Sequence, residues 1–253
     1  MSLYAALMLW LLVIIFAAAG VHRIWSGLVK PRVVNAVLLP GTLVAQLGHV
    51  LGLLLSGNSV KNTKLMGDDE KGEPKSDTPE QQRLPIIGPI LVGLLPLVAC
   101  AACLYGAAHF WGERIVGNVA ANAGSQVPQT LPTTLTGMWD LLRGGISLAE
   151  HLLAAIITSD LPNWPTLLFL YLAVCLTVRM APFEGNRRGA IGAIVLAALV
   201  IAVLGSLSPA VRNAVLSSWP VLSFAVGMLL LLLLVSLLVR GVVGFIRILV
   251  TNK

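Results

Sequence analysis

The feature that most limits how this chain can fold is the recurrence of long apolar runs. Residues 3 to 20, 33 to 57, 84 to 111, 164 to 181, 189 to 208 and 219 to 239 each carry a nearly unbroken series of nonpolar side chains. A helix of about 20 such residues crosses the ~30 Å hydrocarbon core of a bilayer. In that medium an unpaired backbone group is costly, so separate spanning segments close their hydrogen bonds internally, as helices. Composition agrees: 57% of the 253 residues are hydrophobic and 11% charged, against roughly 25% charged in a typical soluble domain. The net charge of +6 does not indicate nucleic acid, because the basic residues sit at the ends of apolar runs, where anionic lipid headgroups meet them. The expected fold is all-α, a polytopic transmembrane bundle of six or seven spans forming a single integral membrane domain over residues 1–253.

Two intervals interrupt the apolar pattern. Residues 58–83 contain five Lys/Arg and six Asp/Glu among Pro, Gly and Ser, the composition of a charged, mobile, solvated loop. Residues 135–158 instead read as an amphipathic helix, because Asp140, Arg143, Ser147, Glu150 and His151 recur at helical spacing and form one polar stripe. Such a helix lies in the interface with its charges in water, or crosses with the stripe toward other helices.

Loop charge bears on that choice. The first run has no basic residue ahead of it and is followed by His22, Arg23, Lys30 and Arg32, the pattern of an uncleaved anchor with its N-terminus outside. Placing Arg23/Lys30/Arg32, Arg179/Arg187/Arg188 and Arg240/Arg247 all on the cytoplasmic side then requires 135–158 to cross, which makes seven spans. In the alternative, 135–158 stays on the surface and the Pro40-Gly41 segment dips in and returns.

The three cysteines, Cys100, Cys103 and Cys175, all lie in apolar segments and imply no disulfide framework. Cys100-Ala-Ala-Cys103 has the C-x-x-C spacing but neither the β-α-β context of a redox motif nor a following histidine for haem attachment. Packing is the expected role of these thiols.

Inside the second run, "PGTLVAQLGHVLG" sets a glutamine and a histidine in an otherwise apolar helix. It resembles the P-G-x-x-x-H-E-L-G-H-x-x motif of site-2-type intramembrane zinc metalloproteases, with Ala45 where that family has its first histidine, Gln46 at the glutamate and His49 at the second histidine. The resemblance continues through "LPIIGPILVGLLPLVA", with its Pro85, Pro89 and Pro96, to "YLAVCLTVRMAPFEGNRRGA". There the family's A-P-S-x-x-D places a metal-binding aspartate, and Asn186 stands at that position.

In the intact motif, histidines at i and i+4 grip one zinc from one helix face while the glutamate acts as general base on the bound water. Ala45 offers no ligand, and the Gln46 carboxamide lacks the basicity to take a proton near neutral pH. His49 and Glu184, the carboxylate nearest the aspartate position, remain weak metal candidates. The resemblance thus implies a pseudoprotease, a non-catalytic structural or helix-binding subunit of a membrane assembly, with no cofactor. Its partners are the lipid bilayer and other transmembrane helices rather than nucleic acid, and its expected location is the bacterial cytoplasmic (inner) membrane. Two alternatives stay open: a divergent zinc protease using His49, Glu184 and His151 or His109, and a transporter or proton-path subunit built on Asp140, Arg143, Glu150 and His151.

Overall fold

The computed structural model describes residues 2–57, 87–121, 127–159, 162–181 and 187–251. The charged loop at 58–83, Pro85, Glu184 and Asn186 lie outside the described residues. Every regular element among the described residues is a helix: α1 (Ser2–Leu28), α2 (Pro31–Val37), α3 (Leu39–Leu55), α4 (Ile87–Trp111), α5 (Glu113–Ala121), α6 (Leu135–Ile157), α7 (Trp164–Val178), α8 (Arg187–Leu207) and α9 (Pro209–Thr251). Three are long and apolar enough to cross a bilayer, at Ser2–Leu28, Ile90–Trp111 and Pro209–Leu249, and the bent pair α2–α3 adds a fourth if taken as one span. Among the described residues the chain is all-helical, and its long apolar helices make it an integral membrane protein.

The apolar runs and the helices differ in instructive ways. Residues 33–57 are not one helix: α2 stops at Val37, α3 starts at Leu39, and the two are bent by 80°. Pro40 explains the break, because it has no N–H to donate and its ring crowds the carbonyl four residues earlier. The break frees the Val37 carbonyl, which accepts from the Tyr171 hydroxyl at 2.9 Å and the Cys175 thiol at 3.5 Å. α7 therefore braces the elbow. The run at 164–181 yields only the 15 residues of α7, about 22 Å of helix. The last run sits within the 43 residues of α9, about 65 Å of helix and twice the hydrocarbon thickness.

The core gathers Trp10, Ile14, Phe169, Trp219, Phe224 and Leu229, with Phe169 and Phe224 at a ring separation of 5.6 Å. A short connecting segment is drawn into it. The Trp10 indole donates to the Pro128 carbonyl at 3.0 Å, the Trp219 indole donates to the Val127 carbonyl at 2.8 Å, and the Val127 amide donates to the Ser223 hydroxyl at 3.2 Å. Irregular backbone inside a bundle must be satisfied in this way.

These contacts also set helix directions. Trp10 meets α9 near Trp219, Gly20 faces Leu233, and the Trp25 indole donates to the Ser236 hydroxyl at 2.7 Å, so α1 and α9 run parallel. Gly145 faces Leu230 while Leu148 and Leu152 face Gly227, so α6 runs antiparallel to α9.

Candidate functional site

The site predicted by the motif is carried by α3, which has two faces. Leu43, Leu47, Leu51, Leu54 and Leu55 are exposed on one side. Gly41, Ala45, Gln46, Gly48, His49, Gly52 and Leu53 are buried on the other. Turning Gln46 and His49 inward is what the bilayer requires, since neither side chain finds a partner in hydrocarbon.

Positions 41, 45, 48 and 52 repeat at intervals of four, three and four, a continuous stripe along one helix face. All are glycine or alanine, and the packing shows why. A Cβ on Gly48 would come within 2.7 Å of the Leu95 carbonyl oxygen and the Pro96 Cα, and one on Gly52 within 2.8 Å of the Val92 Cα. Gly41 is pressed in the same manner against the Cys175 carbonyl of α7. Small residues allow this backbone-to-backbone approach. Ala45 belongs to this stripe and is fully buried.

His49 has a specific partner. Its ring hydrogen-bonds the backbone of Val92 in α4, four residues before Pro96. Proline has no N–H, so the Val92 carbonyl lacks its helical donor. The histidine fills a position opened by the proline. Gln46 is different: it is 1% exposed, yet neither amide atom has a hydrogen-bond partner among the described residues.

A second polar group lies beside the elbow. Arg179 was expected among the loop charges that orient the chain, but it is buried at the C-cap of α7. Its Nη2 donates to the Asn35 side-chain Oδ1, and His22 Nε2 lies 3.3 Å from that same oxygen. The Arg179 backbone carbonyl lies 3.9 Å from the Cys100 thiol. Sequence reasoning missed this α1–α2–α7 group because His22 and Arg179 read as flanking charges and Asn35 has no motif around it. The one available signal was an asparagine inside "VVNAVLL", a polar residue that an apolar helix must pair.

The amphipathic helix stands as α6, and its charged stripe does not enter the bundle. Asp140, Arg143, Glu150 and His151 are exposed, whereas Leu148, Ala149, Leu152 and Ala155 are buried. His151 Nδ1 stays local, 2.6 Å from the Ser147 carbonyl and 3.2 Å from its hydroxyl. The C-x-x-C cysteines are also separated in environment, Cys100 buried and Cys103 exposed.

The α3 donor set does not fit a catalytic zinc. Three protein ligands and a water are the usual requirement; Ala45 has no donor atom and Gln46 offers a carboxamide, which leaves His49 as the one good ligand on the α3 face. Among the described residues no group of three His, Cys, Asp or Glu side chains is arranged to hold a metal ion. Comparison with known protein families, curated proteins and solved structures finds no match to this chain.

Proposed function

We propose that this protein is a non-catalytic relative of the site-2-type intramembrane metalloproteases. In this reading a core of six or seven spans, in a bacterial cytoplasmic membrane, is kept as a structural, helix-binding subunit of a membrane assembly. The observation that carries the reading is the conversion of motif positions into packing. The first-histidine position, Ala45, is part of the stripe that admits α4, and His49 supports a proline-interrupted neighbour. Ala45 has no atom to hold a metal, and a general base is missing at Gln46.

The exposed position of Asp140, Arg143, Glu150 and His151 also weighs against a proton path through the bundle, because such relays face the interior or a water-filled cavity. The test is elemental analysis of purified protein expressed with added zinc, paired with an assay for cleavage of transmembrane peptides. A folded protein with metal at background and no cleavage supports the proposal. A stoichiometric metal lost in His49→Ala, with cleavage lost alongside it, overturns it.

A further inference from the structure

The charged face of α6 has a depth problem. α6 packs on α9 where a Cβ on Gly145 would lie 3.3 Å from the Leu230 side chain and one on Gly227 3.1 Å from that of Leu148. Those α9 positions lie inside "MLLLLLLVSLLV" and its approach, 10 to 13 residues before Arg240 and at least 15 after Arg212. Along a helix that is about 15 to 20 Å from one charge and more than about 22 Å from the other. The antiparallel course then sets Asp140 and Arg143 level with α9 residues near 232–235 and Glu150 and His151 level with Gly227. Glu150 and His151 therefore lie near the middle of the apolar run, and Asp140 and Arg143 about 7–12 Å inward of Arg240. All four point away from the bundle, and none of Asp140, Arg143 and Glu150 makes an ion pair with any described residue.

Ionisable side chains at that depth require polar partners. This face supplies its own complement, because it carries both signs at short spacing: Asp140 lies one turn before Arg143, and Glu150 adjoins His151. Next to it runs an exposed ridge at seven-residue spacing, Trp139, Ile146 and Leu153, suited to helix–helix packing.

We infer that the α6 face is a homodimer interface within the membrane, formed with a second copy of this chain. A two-fold axis along the membrane normal sets two α6 helices side by side and parallel. In a two-fold interface residue i meets residue j and j meets i, so Asp140 of each copy pairs with Arg143 of the other and Glu150 with His151. The Trp139 ridge covers the pairs from lipid. The inference does not depend on the metalloprotease-like reading of α3.

The test is oxidative cross-linking of the full chain in membranes. Cys103→Ser removes the exposed native thiol, and Ala154→Cys places a thiol on the charged face, where Ala154 is exposed. Leu199→Cys on α8, at 58% exposed, serves as control. Ala154→Cys is expected to give a disulfide dimer of twice the chain mass and Leu199→Cys none. Adding Asp140→Arg sets like charges against each other and lowers the dimer yield about tenfold or more. Combining it with Arg143→Asp restores the yield.

Three results overturn the inference. One is no dimer from Ala154→Cys. Another is a cross-link to a chain of different mass. The third is full labelling of Ala154→Cys by a membrane-impermeant maleimide, which would put the face in water. If Asp140→Arg fails to fold, as read by helical content, the Ala154→Cys and Leu199→Cys pair decides alone.

Discussion

Replacing Gly48 by alanine tests the packing of α3 most sharply. The new methyl would sit 2.7 Å from the Leu95 carbonyl oxygen and 2.7 Å from the Pro96 Cα, where ordinary contact begins at 3.4 Å, a shortfall of 0.7 Å. Both obstacles are backbone, so no side chain can rotate away and α3 must move from α4. Overpacking of this kind costs about 1–3 kcal/mol, and a gap of 0.5–1 Å forfeits a quarter to a half of each neighbouring dispersion contact. The helix-propensity gain of alanine over glycine, up to about 1 kcal/mol, offsets part of that. The expected net loss is about 1–2 kcal/mol.

Gly52→Ala meets the same helix, with 2.8 Å to the Val92 Cα, and needs a displacement of similar size and direction. One opening accommodates both methyls. The double variant is therefore expected to cost little more than Gly48→Ala alone, a clear departure from additivity. Gly106→Ala, with nothing within 4 Å of its Cβ, is the control and should be neutral or slightly stabilising. Reversible unfolding in mixed micelles, followed by tryptophan fluorescence, gives all four values. Gly48→Ala matching Gly106→Ala, or fully additive glycine variants, would refute the close-approach account.

Other outcomes follow from the same interior. His49→Ala should cost about 1–3 kcal/mol by leaving the Val92 carbonyl unpaired, and less in a Pro96→Ala background, where residue 96 regains an N–H for that carbonyl; a double-mutant cycle with zero coupling would remove the link. Gln46→Met should leave stability unchanged or raise it by up to about 1–3 kcal/mol, since both amide atoms are buried without partners; a loss in thermal unfolding would contradict this. Asn35→Ala should cost about 1.5–3 kcal/mol through the lost bond to the Arg179 guanidinium, with Asn35→Asp better tolerated because a carboxylate can also accept from Arg179, and the order of the two melting temperatures checks it.

The helices were largely legible because bilayer physics ties an apolar run to a helix, and the polar stripe of α6 was legible from its 3.6-residue period. The elbow at Leu38 was less so: Pro40-Gly41 marks an interruption, but nothing local announces the 80° bend or that Tyr171 and Cys175, more than 130 residues away, take the freed Val37 carbonyl. Arg179 misled for a related reason. A basic residue at the end of an apolar run reads as interfacial, and only the fold brings Asn35 and His22 to it. On α3 the letters Gln46 and His49 marked two polar side chains that an apolar helix must turn inward, while the bond of His49 to Val92 became visible only with Pro96 beside it.

The most direct measurement of the central claim is zinc stoichiometry in the variant Ala45→His, Gln46→Glu, Asn186→Asp, with Gln46→Glu alone as control. The added imidazole enters a packed face, at a cost of about 1–3 kcal/mol. Zinc held by the repaired ligands stabilises the folded chain, so zinc should raise the melting temperature of the triple variant and not of the control. If a metalloprotease core underlies this protein, bound zinc rises from background to near one per chain in the triple variant only. A triple variant that folds, by helical content and cooperative melting, yet binds no more zinc than its parent would contradict the account.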